Sequence, residues 1–279
     1  MISLSQLPAV SFAERDPTTI KSAIITTYEA ITGRTLAAAD PVRLFLLTIA
    51  EIIIQQRGVI NNAGLMQLLA TSKGPYLDAI GALVGCYRLQ PTAAITTLQY
   101  NISQARPGVL VIPQGMRVSA GSLVFATTAV AQVPAGSTSV TVTAQCTTPG
   151  TIGNGYLPGQ ITQVVDTFTF FQSVANTTVA SGGTDMESDD DFRLRIQEAP
   201  EAFSVAGPEG AYRYWAKTAS AAIQDVSVTS PSAGCVLLTV LMAGGAMPTQ
   251  DIIDKVLEIC SAKTVRPLTD NVSAAAPTA

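Results

Sequence analysis

Five carboxylates fall within one short run, Asp185, Glu187, Asp189, Asp190 and Asp191, the densest set of possible metal ligands in the chain. Hard cations such as calcium collect oxygen ligands in runs of this kind. An EF-hand loop starting at Asp185 would need Gly sixth and Glu twelfth, and the chain has Asp190 and Ile196 there. The alternative is acidic charge at a helix N-terminus, where it complements the helix dipole. Ser188 followed by Asp191 matches a capping box with Asp in the Glu position, so we adopt the cap and predict no metal site. Gly150, Gly153, Gly155 and Gly159 match neither GxGxxG nor GxxxxGK[ST], and no helix is expected after them, so they read as turns between strands. Tyr212, Tyr214 and Trp215 could stack nucleobases, but on a helix they point to different sides, with only Arg213 and Lys217 basic nearby. Core or protein-interface packing fits Tyr212 and Trp215 better. Arg266 opens Arg-Pro-Leu-Thr-Asp, either an anchoring elbow or a helix-to-strand connection with a local Arg–Asp pair.

Nucleophilic chemistry lacks its usual base. The chain has no histidine, so neither a Ser-His-Asp triad nor a Cys-His pair can form, and no GxSxG occurs. Cys86, Cys146, Cys235 and Cys260 are far apart and form no CxxC pair, which reads as buried thiols of a reducing compartment. The Asn-x-Ser/Thr matches at Asn101, Asn176 and Asn271 are then coincidental in a Ser/Thr-rich chain. No catalytic residue, cofactor or metal is predicted.

The elements that would carry these residues differ along the chain. Charged side chains number 13 in residues 1–95, 3 in 96–183 (Arg106, Arg117, Asp166) and 20 in 184–279. Three modules are therefore expected, with an α+β fold class: an N-terminal helical region, a central β-rich domain (a small sandwich or barrel) and a C-terminal α+β domain. In the first, Asp16-Pro17 starts a helix bearing Ile20, Ile24, Tyr28 and Ile31, which Gly33 stops. Asp40-Pro41 starts a second helix that is apolar nearly all round from Leu44 to Ile54, so it needs enclosure by other helices or another chain. A third helix fits Tyr76 to Val84. In the second module, β-branched runs at 109–112, 118, 123–125 and 139–143 alternate with Pro/Gly turns, and Phe168, Phe170 and Phe171 alternate as in a strand. With so little charge, its strand edges are expected to be open and to pair with another chain. The third module reads α-α-β-β-α-β: helices before Pro200 and after Gly207-Pro208, strands at 225–229 and 235–241, a helix after Thr249 and a strand at 271–275.

Composition narrows the partners. The chain is 279 residues long, 47% hydrophobic and 13% charged, against about 25% charged for an ordinary soluble domain. Mean hydropathy is +0.34 and pI about 4.8. The richest apolar run, Leu44–Ile54, contains Glu51 and falls short of the ~20 residues of a membrane span. The first 16 residues lack the basic and apolar regions of a signal peptide. A net charge of −4 offers no basic face to nucleic acid. We expect no nucleic acid partner and no membrane span.

Several segments together resemble the baseplate J family of contractile-tailed phages and related injection machines. They are GGTDMESDDDFRLRI (Gly182–Ile196), AGPEGAYRYWAKTAS (Ala206–Ser220), IQDVSVTSPSAGCV (Ile223–Val236) and VRPLTDNVSAAAP (Val265–Pro277). Upstream, GPYLDAIGALVGCYR (Gly74–Arg88) and IPQGMRVSAGSLVFAT (Ile112–Thr127) also fit the pattern. The similarity spans roughly residues 40–277 and is most specific after Gly182; family members often continue beyond the Ala-Pro matching Ala276-Pro277.

The resemblance implies a non-enzymatic structural subunit of the baseplate wedge, assembled in the host cytoplasm and carried in the virion tail baseplate. Such a subunit links wedges into a ring around the tail tube and couples to sheath contraction. Its partners would be other wedge proteins, sheath-initiator-like and tube or hub proteins, and neighbouring copies of itself. The wedge-partner contact is expected at Phe45, Ile49, Ile52 and Ile53, with Tyr212, Trp215 and Arg266 as further interface candidates. A compact monomer of this mass exposes roughly 11,000 Å2, so a few large contacts would hide over a quarter of it and excuse the low charge. A tail-tip carbohydrate- or receptor-binding module is the alternative. A cell-wall hydrolase has little support, since its paired acids would have to come from the helix cap.

Overall fold

The computed structural model describes residues 4–204 and 206–277. The chain divides into two compact units, residues 1–87 and 88–279.

In the first unit, α1 (Pro17–Thr32) begins where expected. The Thr19 N–H and hydroxyl donate to the Asp16 carboxylate at 2.7 and 2.6 Å, and Gly33 closes the helix at φ 67. The Thr19 donors hold the Asp16 carboxyl below its ordinary range. Asp40 caps α2 (Pro41–Leu65) in the same way, accepting from Val42 N at 2.9 Å. The two helices pack together, and Lys21 pairs with Glu51 across them at 2.5 Å. A short helix, α3 (Pro75–Leu83), follows. Ahead of α1, residues 11–14 run beside α2 as a strap. Asn61, 3% exposed, accepts from Phe12 N at 2.9 Å. The Phe12 ring lies within 2.5 Å of where a Cβ on Gly64 would stand, so only glycine admits it. By length and composition α2 can cross a membrane, which corrects the shorter run read from sequence: the helix continues through Gln55-Gln56 and Val59-Ile60. Glu51, midway along it, would be costly at a bilayer centre, by about 2.5–3.5 kcal/mol for an acidic residue there.

The second unit holds two apolar cores. The first belongs to a six-stranded antiparallel sheet made of β1 (Ile95–Ile102), β3 (Arg117–Ala120), β4 (Leu123–Thr127), β6 (Ser139–Cys146), β7 (Gln163–Val164) and β8 (Phe171–Asn176). Its order is β7-β3-β4-β6-β1-β8, and a separate ladder joins β2 (Leu110–Ile112) to β5 (Ala131–Val133). Inward residues alternate strictly: Leu98, Tyr100 and Ile102 on β1 meet Val142, Ala144 and Cys146 on β6. The expectation of open edges is corrected, because the sheet nearly closes on itself. Asn176, buried at the end of β8, bridges the gap beside β7. Its Oδ1 accepts from Ile161 N and its Nδ2 donates to the Leu157 carbonyl, both at 2.9 Å. The strand reading of Phe168 and Phe170 is corrected too. Both precede β8, Phe170 has φ 71, and Arg106 stacks on its ring at 4.1 Å. Phe168, Phe170 and Phe171 pack against the barrel core, so their spacing reflects a folded-back turn.

The second core lies under a three-stranded sheet, order β11-β10-β9, of β9 (Ile223–Ser232), β10 (Cys235–Met242) and β11 (Asn271–Ala275). β10 runs antiparallel to β9 and parallel to β11. Val236, Leu238, Val240 and Met242 face α5 (Glu209–Lys217) and α6 (Gln250–Cys260) through Tyr212, Ala216, Val256 and Cys260. α4 (Asp189–Glu198) precedes α5. The order α-α-β-β-α-β is the one expected, although β9 runs through Pro231 and leaves a tighter turn at 233–234.

Candidate functional site

Each carboxylate of the acidic run has its own protein partner. Asp185 accepts from Thr151 N at 2.9 Å and Thr151 Oγ1 at 2.8 Å, which holds its pKa below the usual range. Asp190 pairs with Arg193, and Asp191 accepts from the Ser188 hydroxyl at 2.6 Å while that oxygen accepts from Asp191 N at 3.1 Å. The capping box therefore closes through the hydroxyl. No cluster of three metal-ligating side chains exists among the described residues.

Glu187 is the residue that the cap reading missed. Its side chain is 3% exposed and binds Arg195, 5% exposed, by two hydrogen bonds of 2.5 and 2.9 Å. It also accepts from Leu89 N at 3.0 Å. Arg88 completes the cluster, donating to the Glu187 carbonyl at 2.8 Å and the Asp189 carboxylate at 2.7 Å while stacking 4.7 Å over Phe192. A buried charge is tolerated only when paired and hydrogen-bonded, and here a fork-to-fork pair fastens α4 to the chain entering the barrel. Arg88 and Glu187 are 99 positions apart, so no local pattern announces them.

The elbow at Arg266 is built from backbone acceptors. Its guanidinium donates to the carbonyls of Ser261 (2.9 Å), Pro267 (3.0 Å) and Asp270 (2.6 Å), whereas the local pair expected from sequence would have used the Asp270 carboxylate. That carboxylate instead accepts from the Tyr212 hydroxyl at 2.7 Å, which together with burial raises the Tyr212 pKa. A Cβ on Gly207 would stand 2.9 Å from the Pro267 ring, so glycine is what lets the two segments touch. Gly207–Tyr212 and Arg266–Asp270, separate in sequence, thus form one joint. Tyr212 is 1% exposed and belongs to the core; Trp215 packs partly buried against the same core, edge-on to Tyr214 at 5.4 Å.

The exposed apolar surface is concentrated elsewhere, on α2. Phe45 is 63% exposed, Ile49 36% and Ile52 53%, and Ile53 is half-buried. Val59 and Ile60 extend the face. The second unit carries a small cleft of about 190 Å3 lined by Leu194, Arg195, Lys217 and Gly244 among others. Its cations are already engaged, Arg195 by Glu187 and Lys217 by Glu198 at 3.0 Å.

Comparison with known proteins bears on the barrel and the domain that follows it. The family described as "Baseplate J-like protein barrel domain" matches residues 97–183, the six-stranded sheet, and "Baseplate J-like central domain" matches residues 204–276. Baseplate protein J of Escherichia phage P2 is 44% identical over 89 residues, which are 32% of this chain and 30% of that protein. The aligned stretch thus spans under a third of the relative. A chain in the 6-fold symmetrised cryo-EM structure of the anti-feeding prophage (AFP) baseplate aligns with 93% of this chain and 71% of its own length, at 12% identity and a TM-score of 0.43. With a barrel and a following domain that both match family profiles, and signature segments that meet in space, the chain belongs to the baseplate J family.

Proposed function

We propose that this protein is a structural, non-enzymatic subunit of a contractile-tail baseplate wedge, located in the virion, where it links wedges into a ring around the tube and couples them to the sheath. The observation that carries the reading is the bare face of α2. Phe45, Ile49, Ile52 and Ile53 stand on a 25-residue helix of which only Ala50 and Asn61 are buried. Leaving several large apolar side chains in water forgoes roughly 1.5–3 kcal/mol for each, and patches of this kind mark protein contacts. Its partners are other wedge, sheath-initiator-like and hub proteins and neighbouring copies. Trp215 and Arg266 are placed at secondary contacts.

Co-expression with the adjacent tail proteins tests this. The Ile49→Asp/Ile53→Asp variant should fold, retain its helix content and fail to co-purify with a wedge protein that the unaltered chain captures. Undiminished capture would remove α2 from the interface.

A further inference from the structure

One short segment of the barrel is held against its own conformational preference. Residues 167–170, between β7 and β8, join no ladder. Phe170 stands at φ 71, where a bulky side chain crowds the backbone and is a genuine outlier. The segment packs onto Tyr100 of β1, with the Phe168 and Tyr100 ring centroids 6.1 Å apart, and Phe168 meets Phe171 edge-on at 5.5 Å. Tyr100 is fully buried, and its hydroxyl has no hydrogen-bond partner among the described residues. Burial, with the Asp166 charge adding to it, raises the Tyr100 pKa to about 12. A buried hydroxyl left unmatched bears its desolvation cost in full. Closure therefore carries two unfavourable terms, and opening relieves both: it frees the Phe170 backbone and admits water to Tyr100.

We propose that residues 167–170 form a displaceable plug in the barrel wall, which swings out as a unit while the six-stranded sheet stays intact. A few contacts keep it closed. Arg106 stacks 4.1 Å over the Phe170 ring, and its own carbonyl is fixed by Gly136 N at 2.8 Å. Ser103 N donates to the Phe170 carbonyl at 2.9 Å, and Phe171 N donates to the Phe168 carbonyl at 3.1 Å. Arg117 N and Nε donate to the Asp166 carboxylate at 3.0 and 2.9 Å, which pins the chain at 166, so the motion begins beyond it. At the other end the β1–β8 register slips between Asn101 and Ile102, so the ladder is already irregular where the plug leaves it. Phe168 and Phe170 are only half-buried, so their packing offsets the two unfavourable terms without overwhelming them. Opened, the plug turns both rings outward on a stretch that has no charged residue from 167 to 184. The barrel thereby gains an aromatic contact that the closed form withholds.

Residue-resolved hydrogen exchange of the full-length chain tests the plug. The Ser103 amide loses its acceptor on opening, so it should exchange at least about tenfold faster than amides of the β1–β6 ladder. Low denaturant should hardly change its rate, the mark of a local opening, while the ladder amides respond. Tyr100→Phe removes the unmatched hydroxyl and should slow Ser103 exchange at least about fivefold. Arg106→Ala should speed it about two- to fivefold. Phe170→Ala and Phe170→Gly both lose the ring, but only glycine relieves the backbone, so Ser103 should exchange about threefold slower in the glycine variant. Ser103 exchange that follows the β1–β6 ladder at every denaturant concentration, or that Tyr100→Phe leaves unchanged, would overturn the proposal.

Discussion

Glu187 and Arg195 form an ion pair in the interior, with side chains 3% and 5% exposed. Glu187→Ala removes the carboxylate that Arg195 pairs with in the interior, so chemical denaturation should show a loss of about 3–5 kcal/mol. Glu187→Leu/Arg195→Met should recover most of that, because an apolar pair avoids the desolvation. Asp166 makes a prediction of opposite character at the barrel edge. It accepts from Arg117 Nε at 2.9 Å and Nη2 at 2.8 Å, and the Arg117 side chain holds its pKa down to about 2, from an ordinary 3.8. A depressed carboxylate stabilises the fold above its unfolded pKa, and that contribution is lost as pH falls through the folded one. The stability gap between the unaltered chain and Asp166→Asn should therefore be full above about pH 5 and close between about pH 4 and 2. A gap independent of pH would refute the assignment. At this scale the sequence was partly legible. Ser188 and Asp191 declare a cap through a three-residue spacing, whereas Glu187 lies beside them and acts with Leu89 and Arg195, one of them 98 positions away.

Helix ends were the most legible elements, since Asp-Pro at the start and Gly at the stop act within one turn. Barrel closure was not legible. It depends on Asn176 reaching Leu157 and Ile161, and an asparagine after a strand ordinarily reads as a turn residue. Asn176→Ala should leave the buried Ile161 amide unmatched, at about 1–3 kcal/mol. Hydrogen exchange should then quicken first at 157–161. The strap on α2 gives a separate test. Gly64→Leu puts a side chain where the Phe12 ring sits, so residues 11–14 should lose exchange protection while α2 stays helical. Retained protection would mean that the ring is not what holds the strap.

For the whole molecule, the shortage of charge acquires a location. The 96–183 segment folds into a nearly closed sheet and needs few charges to guard its edges. The accessible surface is 15557 Å2, more than the roughly 11,000 Å2 of a compact monomer of this mass. We propose modules at 1–95, 96–183 and 184–279; limited proteolysis should cut first near 88–95 or 181–188, and a first cut inside a sheet would contradict that division. The family was legible in the motifs after Gly182 because their residues meet at one joint, Tyr212 with Asp270 and Gly207 with Pro267. The partner was not legible beyond its apolar character, since a chain by itself shows only which face is bare. Co-purification of the Ile49→Asp/Ile53→Asp variant with a neighbouring wedge protein is the most direct measurement. Loss of the complex with the fold intact is the predicted result, and an undiminished complex would contradict it.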